Sequence, residues 1–126
     1  MIKIENVFIV DDEPSIQFFY EQVLTISGFK VAGIASNGIE AVSMFNSFSK
    51  KPKVILMDQR MPEMSGVEAS KLILQIDSRT KIIFLSADNS VKEEALSIGA
   101  FIFLDKTFLI EKLIDVINRA IESYGV

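Results

Sequence analysis

The feature that most constrains this chain is an alternation of short apolar runs with segments of helical period. The runs are rich in β-branched residues and lie at residues 7–10, 29–34, 54–57, 81–85 and 101–104. Apolar runs without regular polar alternation are typical of strands buried on both faces of a sheet. Five such strands alternating with five helices predict a parallel sheet that is covered by helices on both sides.

Helical segments are indicated by apolar residues spaced three and four positions apart. The first of two clear stripes comprises Ile16, Phe19, Tyr20, Val23 and Leu24, and the second comprises Leu109, Leu113, Val116, Ile117 and Ala120. Gly28 and Gly99 lie where helical segments end, a position at which glycine commonly caps a helix. The 126 residues therefore predict one small α/β domain, a fold class that many unrelated functions share.

Composition excludes several kinds of chemistry. The chain has no cysteine and no histidine, which excludes disulfides, thiolate metal sites and imidazole bases. Its net charge of -4 argues against general nucleic-acid binding, which needs a basic face. No apolar run approaches the roughly 20 residues of a membrane helix, and the first residues lack a signal-peptide pattern. We therefore expect a cytoplasmic protein whose chemistry rests on carboxylates, hydroxyls, lysine and a hard cation.

Polar residues follow four of the predicted strands. Asp11 and Asp12 follow the first strand, Asp58 the third, Ser86 the fourth and Lys106 the fifth. Each residue alone has an ordinary structural explanation as a helix cap, a turn residue or a solvated end. Because ligands of open parallel sheets bind beyond the carboxyl ends of the strands, their joint occurrence predicts a functional site at that edge.

Converging carboxylates need a compensating charge. Two carboxylates about 4 Å apart repel each other by roughly 4 kcal/mol at an effective dielectric constant of about 20. A cation or raised carboxyl pKa values would relieve this cost. Mg²⁺ prefers oxygen ligands, keeps several waters, and can hold a phosphoryl group in line with a carboxylate nucleophile. We therefore predict Mg²⁺ as the cofactor.

Together these motifs resemble the receiver domains of bacterial and archaeal two-component systems. The resemblance rests on Val10-Asp11-Asp12-Glu13-Pro14, on residues 57–66, on Ser86-Ala87, on Gly99-Ala100 and on Lys106, in this order and spacing. It covers essentially the whole chain, residues 1–126, and implies one α/β domain of the flavodoxin-like (βα)5 type. Its doubly wound parallel sheet would have the strand order 2-1-3-4-5.

The resemblance implies roles for the residues around the acceptor. Asp58 matches the phosphoacceptor, Asp12 matches the direct metal ligand, and Asp11 matches the acid that holds metal-bound water. The backbone carbonyl of Arg60, two residues past the acceptor, matches the third protein ligand of the metal.

Three further residues match the phosphoryl-binding and switch positions of the family. Ser86 matches the hydroxyl that moves toward the phosphoryl group, and Lys106 matches the lysine that contacts it. Phe103 matches the aromatic switch residue whose rotamer follows the movement of Ser86. Ordinary packing on the last strand would also explain a phenylalanine at this position.

The implied function is that of a signalling switch. Such a domain accepts a phosphoryl group from a histidine kinase or a phosphotransfer protein, and its own catalysis is confined to self-phosphorylation and slow autodephosphorylation. The change is expected to reach the face of the fourth helix, fifth strand and fifth helix, residues 90–121. That face would bind a downstream protein or a second copy of the chain, with no direct nucleic-acid or membrane contact. Both a stand-alone regulator and the receiver of a longer regulator fit this pattern.

Some positions depart from the family pattern. Thr107 replaces the proline that usually follows the lysine, so we expect a trans bond after Lys106 and a different last loop. An apolar pair replaces the acidic pair of receivers that dimerise through salt bridges, and the fifth helix carries a second apolar line. We predict an apolar contact surface there, for which the alternative is a well-covered helix. The residues concerned are Phe101, Ile102, Ile110, Ile114 and Ile121.

Arg60 and Asp88 occupy the variable positions that flank the acceptor and the switch hydroxyl. In the family such side chains overlook the phosphoryl group and tune its lifetime. We predict that the two pair across the mouth of the site, or that Arg60 contacts the phosphoryl group itself. Either arrangement would shield an acyl phosphate from water and slow its hydrolysis.

Three competing functions are less well supported by the residues. A Mg²⁺-dependent phosphohydrolase with an aspartyl nucleophile usually carries a general acid two residues later, where this chain has Arg60. A flavin carrier would need a phosphate-binding loop after the first strand, and Asp11, Asp12 and Glu13 would repel a phosphate there. A receiver fold that no longer accepts phosphate is disfavoured because the key positions are all occupied by the expected residue types.

Overall fold

The computed structural model describes residues 5–124, which form a five-stranded sheet flanked by helices on both faces. The strands are β1 (Asn6–Val10), β2 (Lys30–Ala35), β3 (Val54–Met57), β4 (Lys81–Ser86) and β5 (Ile102–Asp105). Every neighbouring pair is parallel, and the strand order is β2-β1-β3-β4-β5. The predicted flavodoxin-like topology is therefore confirmed.

A helix follows each strand. The helices are α1 (Pro14–Ile26), α2 (Gly38–Ser47), α3 (Gly66–Ile76), α4 (Lys92–Ser97) and α5 (Ile110–Glu122). Helix α4 has only 6 residues and is preceded by a 3₁₀ turn at Asn89–Val91, which the Asp88 side chain caps. Within residues 5–124, no helix is both long and apolar enough to cross a bilayer.

The sheet separates two apolar cores. Because successive strand side chains point to opposite faces, Phe8 and Phe84 pack toward α2, α3 and α4, whereas Ile9 and Leu85 pack toward α1 and α5. All four side chains are at most 1% exposed. The central strands are thus buried on both faces, which explains why their apolar runs lack polar alternation.

Strand β2 does not follow this prediction. It lies at one edge of the sheet and pairs only with β1 among the described strands. Lys30 is exposed, the next four residues are half-buried, and only Ala35 is fully buried. The expectation that this run is buried on both faces is wrong, because the apolar run alone does not indicate whether its strand is central or lies at an edge.

The two helical stripes are correct except for one residue in each. Tyr20, Val23 and Leu24 face the core from α1, but Phe19 is 42% exposed. Leu109 precedes α5 as its N-cap residue and is 73% exposed, whereas the rest of its stripe is buried. Leu109 therefore lies outside the helix and does not share the phase of the residues that follow it.

Glycine ends two of the helices, as predicted. Gly28 follows α1 with a φ angle of 90°, and Gly99 follows α4 with a φ angle of 111°. In this left-handed conformation the chain reverses, and the amide of Phe29 bonds the carbonyl of Leu24 at 2.9 Å. These turns return the chain to the sheet at β2 and β5.

Candidate functional site

Three carboxylates meet where β1 and β3 end side by side. Each of Asp11, Asp12 and Asp58 has a carboxylate oxygen within 4.8 Å of an oxygen of the other two. Asp11 is fully buried, Asp58 is 6% exposed and Asp12 is half-buried. Neighbouring strands thus bring together acids that are 46 to 47 positions apart in the sequence, and this arrangement follows from the parallel β1–β3 pairing.

The backbone around these acids is held by the continuation of the sheet. The amide of Asp58 donates to the carbonyl of Val10 at 2.9 Å, and the amide of Asp11 donates to the carbonyl of Ala35 at 3.1 Å. One Asp11 oxygen also accepts the amide of Glu13 at 2.9 Å. Asp11 is therefore fixed by its neighbours, and it does not serve as the N-cap of α1, which is Glu13.

Lys106 supplies the cation of the site. Its Nζ lies 3.2 Å from Asp11 Oδ2 and 3.1 Å from Asp58 Oδ1. Its backbone amide donates to the carbonyl of Ser86 at 3.1 Å, so the pairing of β4 with β5 continues to Lys106. One ammonium group thus contacts two of the three carboxylates.

The charges of the site leave Asp58 poorly stabilised as an anion. Burial, and then the nearby Asp11 carboxylate, raises the pKa of Asp58 from 3.8 to about 6, although Lys106 opposes this change. Burial also opposes the charge of Lys106, but Asp58 and Asp11 outweigh it and raise the pKa of that ammonium group. A lysine alone does not balance the carboxylates, so a further cation would be stabilised here.

A shallow cavity of about 180 Å³ opens onto Asp58 and Lys106. Ser86 lines it and is 2% exposed, and its hydroxyl oxygen accepts the amide of Asp88 at 3.0 Å. Arg60 and Asp88 lie at its mouth, with Arg60 Nη2 3.5 Å from Asp88 Oδ2. The cavity therefore presents a carboxylate, an ammonium group and a hydroxyl to one small ligand.

Phe103 does not line this cavity. It is 8% exposed and stacks on Phe84, its register partner in β4, with ring centroids 6.3 Å apart and planes 16° apart. Its side chain is part of the core that faces α2, α3 and α4. The structure thus shows Phe103 packed inward.

Comparison with known proteins gives this arrangement a family. The sequence pattern of the response regulator receiver domain matches residues 7–118. The chain belongs to the response regulator receiver family. The receiver domain is 37% identical over 117 residues to the chemotaxis protein CheY of Thermotoga maritima, covering 91% of this chain and 96% of that one. It is 35% identical to the CheY of Bacillus subtilis, covering 92% and 97%.

Longer regulators also contain a similar segment. The regulatory protein AtoC of Escherichia coli is 35% identical over 97% of the receiver domain, which spans only 26% of AtoC. Among solved structures, the CheX-CheY-BeF3-Mg complex of Borrelia burgdorferi contains a chain with 26% identity and a TM-score of 0.87, over 93% of this chain and 89% of that one. A receiver domain of Clostridium thermocellum gives 28% identity and a TM-score of 0.88, covering 94% and 95%. CheY-type receiver domains are signalling switches, and both the resemblance and the fold class predicted from the sequence are confirmed.

The acids of the receiver domain fit a magnesium ion. All three are hard oxygen donors, and no nitrogen or sulfur ligand belongs to the cluster. Both oxygens of Asp11 already accept protein hydrogen bonds, from Glu13 and from Lys106, whereas Asp12 is half-buried. Direct coordination by Asp12 therefore breaks fewer existing hydrogen bonds than direct coordination by Asp11.

Sequence reasoning missed the contact between the backbone at Asp58 and the start of α3. The amide of Gly66 donates to the carbonyl of Gln59 at 3.0 Å, and a Cβ atom at position 66 would lie 2.1 Å from the carbonyl oxygen of Asp58. The Gln59 side chain accepts the amide of Val67 at 2.9 Å. The sequence shows the glycine only as the last residue of the 57–66 motif, and the folded loop shows which backbone it touches.

The position of Tyr20 close to the site was also missed, since its place in the α1 stripe predicted only a core side chain. Its ring is 3% exposed and stacks on Phe108, two residues past Lys106, with centroids 6.5 Å apart. Burial, then the Asp11 and Asp58 carboxylates, raises the pKa of its hydroxyl, which therefore stays protonated. The signal in the sequence was the hydroxyl group of this tyrosine, which is the only polar group in the α1 stripe.

Proposed function

We propose that this receiver domain is a phosphoryl-accepting switch, in which Asp58 takes a phosphoryl group from a phosphohistidine of a histidine kinase or a phosphotransfer protein. The observation that carries the proposal is the buried Asp58 carboxylate, 3.1 Å from the Lys106 ammonium group and open to a cavity of about 180 Å³. The similarity to CheY proteins over more than nine tenths of the chain supports it. The receiver domain is proposed to span residues 1–126 and to act in the cytoplasm.

In the proposed step an Asp58 carboxylate oxygen attacks the phosphorus of the donor. An oxygen–phosphorus bond forms while the phosphorus–nitrogen bond to the donor imidazole breaks, and the nitrogen keeps the electron pair and takes a proton. Lys106 donates to one phosphoryl oxygen, and the Ser86 hydroxyl turns from its bond with the Asp88 amide to donate to another. The product is an acyl phosphate whose slow hydrolysis resets the switch, and no other catalysis is proposed.

We propose Mg²⁺ as the cofactor of this step. Asp12, Asp58 and the backbone carbonyl of Arg60 would hold it directly, and Asp11 would hold a metal-bound water. When bound, it supplies positive charge that offsets the acids and the phosphoryl oxygens. The solved Borrelia CheY complex, described as containing BeF3 and Mg, supports this choice for a relative with 26% identity.

The output of the switch is proposed to pass from Ser86 and Phe103 to the face formed by α4, β5 and α5, within residues 90–121. Leu96 of α4 and Ile110 of α5 are 42% and 46% exposed, and four further apolar residues within this range are half-buried. That group comprises Phe101, Ile102, Ile114 and Ile121. Such a surface suits an apolar patch on a downstream protein or on a second copy of the chain, without a nucleic-acid or membrane contact.

Sedimentation equilibrium tests the self-association part of this surface. We expect a larger dimer fraction with beryllofluoride, an acyl-phosphate mimic, than without it, and Ile110→Glu should abolish the difference. A monomer under both conditions would exclude the second copy as the partner and leave a downstream protein as the occupant.

Acetyl phosphate with Mg²⁺ tests the central proposal. Intact-mass spectrometry should show one added phosphoryl group on the wild-type chain, and Asp58→Asn should remove it. Asp115→Asn makes the same chemical change at an exposed carboxylate on α5 and should leave the modification unchanged. Modification that persists in Asp58→Asn would contradict the assignment of the acceptor.

A further inference from the structure

The loop after β5 is closed by the side chain of Asp105, the last residue of that strand. Asp105 Oδ1 accepts the backbone amide of Thr107 at 3.0 Å and the Thr107 hydroxyl at 2.9 Å. The Asp105 carbonyl also accepts the amide of Phe108 at 3.0 Å. Lys106 therefore lies in a turn that is held by three hydrogen bonds, all of them accepted by the preceding residue, Asp105.

The second oxygen of Asp105 reaches a different loop. Oδ2 accepts the side-chain amide of Asn89 at 3.1 Å, and Asn89 begins the 3₁₀ turn after β4. Asp105 pairs in register with Ser86, whose carbonyl accepts the backbone amide of Lys106. One carboxylate thus joins the loop that follows Ser86 to the loop that carries Lys106.

The charge state of Asp105 suits this bridging role. Hydrogen bonds from the Thr107 backbone, then from the Thr107 hydroxyl and from Asn89, lower the pKa of the Asp105 carboxyl. An ionised carboxylate accepts several hydrogen bonds and donates none, which matches the three donors around it. Thr107 supplies two of those donors, whereas a proline at that position would supply neither.

We propose that Asp105 is a positioning residue for phosphoryl transfer: its carboxylate fixes the turn around Lys106, and so holds the Lys106 ammonium group at Asp11 and Asp58. This inference rests on the proposed role of Asp58. A lysine side chain loses much rotamer freedom when it is held at one point, so a fixed backbone at its root lowers the cost of placing Nζ. The bond to Asn89 keeps the same turn in register with the Ser86 loop.

The test is a double-mutant cycle on the full chain, with acetyl phosphate and Mg²⁺ as donor and intact mass as readout. Asp105→Ala should slow phosphorylation by about tenfold, because a displaced catalytic group costs rate steeply. Asp105→Asn, which keeps an oxygen for the Thr107 donors, should stay within about threefold of the wild-type rate. In a Lys106→Ala background, Asp105→Ala should change the rate by less than about twofold, because a residue acting through Lys106 has nothing left to position.

Two further variants keep the test decisive. Asp115→Ala removes an exposed carboxylate from α5 and should leave the rate unchanged. Thr107→Val removes only the hydroxyl donor. It should slow phosphorylation by about threefold when Lys106 is present and should have no effect in the Lys106→Ala background. This variant tests the proposal even if Asp105→Ala fails to fold.

The outcomes separate this inference from the proposed function. An Asp105→Ala or Thr107→Val rate equal to the wild-type rate would overturn the positioning role alone, and so would equal slowing in both backgrounds. A wild-type chain that stays unmodified at Asp58 would overturn the proposed function, and this inference with it.

Discussion

At the mouth of the site, the Arg60 guanidinium group lies 3.5 Å from Asp88 while 81% of its side chain remains exposed. Asp88 is held mainly by Ser90, whose hydroxyl and backbone amide both donate to it. These bonds, the hydroxyl first, lower the pKa of Asp88 more than Arg60 does. An exposed ion pair of this kind contributes little to stability, because solvent screens it. The pair therefore contributes little to holding the fold, and covering the phosphoryl group stays the predicted role of Arg60.

Arg60→Ala is expected to speed autodephosphorylation of Asp58 by about two- to fivefold, a change of less than one power of ten in rate. The physical reason is easier access of water to the acyl phosphate. Loss of mass over time, after removal of the donor, measures the rate. Arg119→Ala breaks another exposed pair, with Asp115 at 3.5 Å, and is the matched control. An unchanged rate in Arg60→Ala would refute the shielding.

At the scale of elements, the loop from β3 to α3 brings the backbone of Gly66, the first residue of α3, against the backbone of Asp58 and Gln59. Ser65 caps α3 by accepting the amide of Glu68, and the Glu68 side chain accepts the amide of Ser65. Glu63 has a φ angle of 69°, and the amide of Met64 donates to the carbonyl of Pro62 at 2.7 Å across it. The backbone of a residue other than glycine is strained in this left-handed region. The contacts around Glu63, including the cap of α3, therefore maintain the tight geometry of the loop.

Gly66→Ala is expected to destabilise the domain by about 1–3 kcal/mol, since the added Cβ atom would lie 2.1 Å from the Asp58 carbonyl oxygen. It should also slow phosphorylation by acetyl phosphate, because the Asp58 backbone must shift. Urea denaturation and intact mass measure the two effects. Gly28→Ala is a useful control: it strains a left-handed turn at φ 90° without a contact within 4 Å, and should cost stability alone.

Helix α3 also contains a buried hydroxyl without a partner. Among the described residues, the hydroxyls of Ser70 and Thr80 are buried and make no hydrogen bond. Ser70→Ala should therefore raise the free energy of unfolding by about 1 kcal/mol, because the desolvated hydroxyl is removed. Ser43→Ala, at an exposed position inside α2, has the same helix-propensity gain and separates the two effects. Equal stabilisation by both variants would mean that helix propensity is the cause.

The positions of the strands could be predicted because the local apolar pattern determines them. The exposure of individual side chains was harder to predict because it depends on how the elements pack. Apolar runs located every strand, and strand ends located Asp11, Asp58 and Lys106, because a parallel sheet carries such residues to one edge. The exposure of Phe19 and Leu109 was not predictable, since it depends on where α1 turns and where α5 begins.

Contacts between loops could not be predicted from the sequence either, because they too depend on how the chain folds. Asn89 and Asp105 are 16 residues apart, and nothing in either segment alone indicates their bond. The clash that excludes a side chain at Gly66 arises only when the loop folds back on Asp58. Strand order came from the family resemblance, because apolar runs contain no information about which strands are neighbours.

At the scale of the whole molecule, the ionised carboxylate of Asp58 lowers the free energy of unfolding. Asp58 has a folded-state pKa of about 6 against an ordinary value of 3.8, so the folded domain binds its proton more tightly than the unfolded chain does. Ionising Asp58 therefore costs folding free energy. This cost is absent below about pH 4, grows as the pH rises through about 6, and is complete above it. At roughly 1.36 kcal/mol per pKa unit, it amounts to at most about 3 kcal/mol.

Asp58→Asn is accordingly expected to stabilise the metal-free domain by about 1–3 kcal/mol at pH 7.5, and by much less at pH 4.5. Urea denaturation in the presence of a chelator measures the difference at each pH. Asp115→Asn, at a carboxylate with 59% of its side chain exposed, should show no such pH-dependent gain. A gain of equal size at both pH values would contradict the burial of a costly charge at position 58.

The contact between Lys106 and Asp11 spans 95 positions of the sequence. During synthesis the acids that follow β1 and β3 emerge well before Lys106, the residue whose ammonium group contacts Asp11 and Asp58 in the folded domain. Contacts between distant parts of a chain form late in folding, because long loops must close first. The proposed phosphoryl acceptance needs Lys106, so a ribosome-bound or truncated chain that lacks β5 and the following loop is expected to compete poorly with folded molecules for a phosphoryl donor.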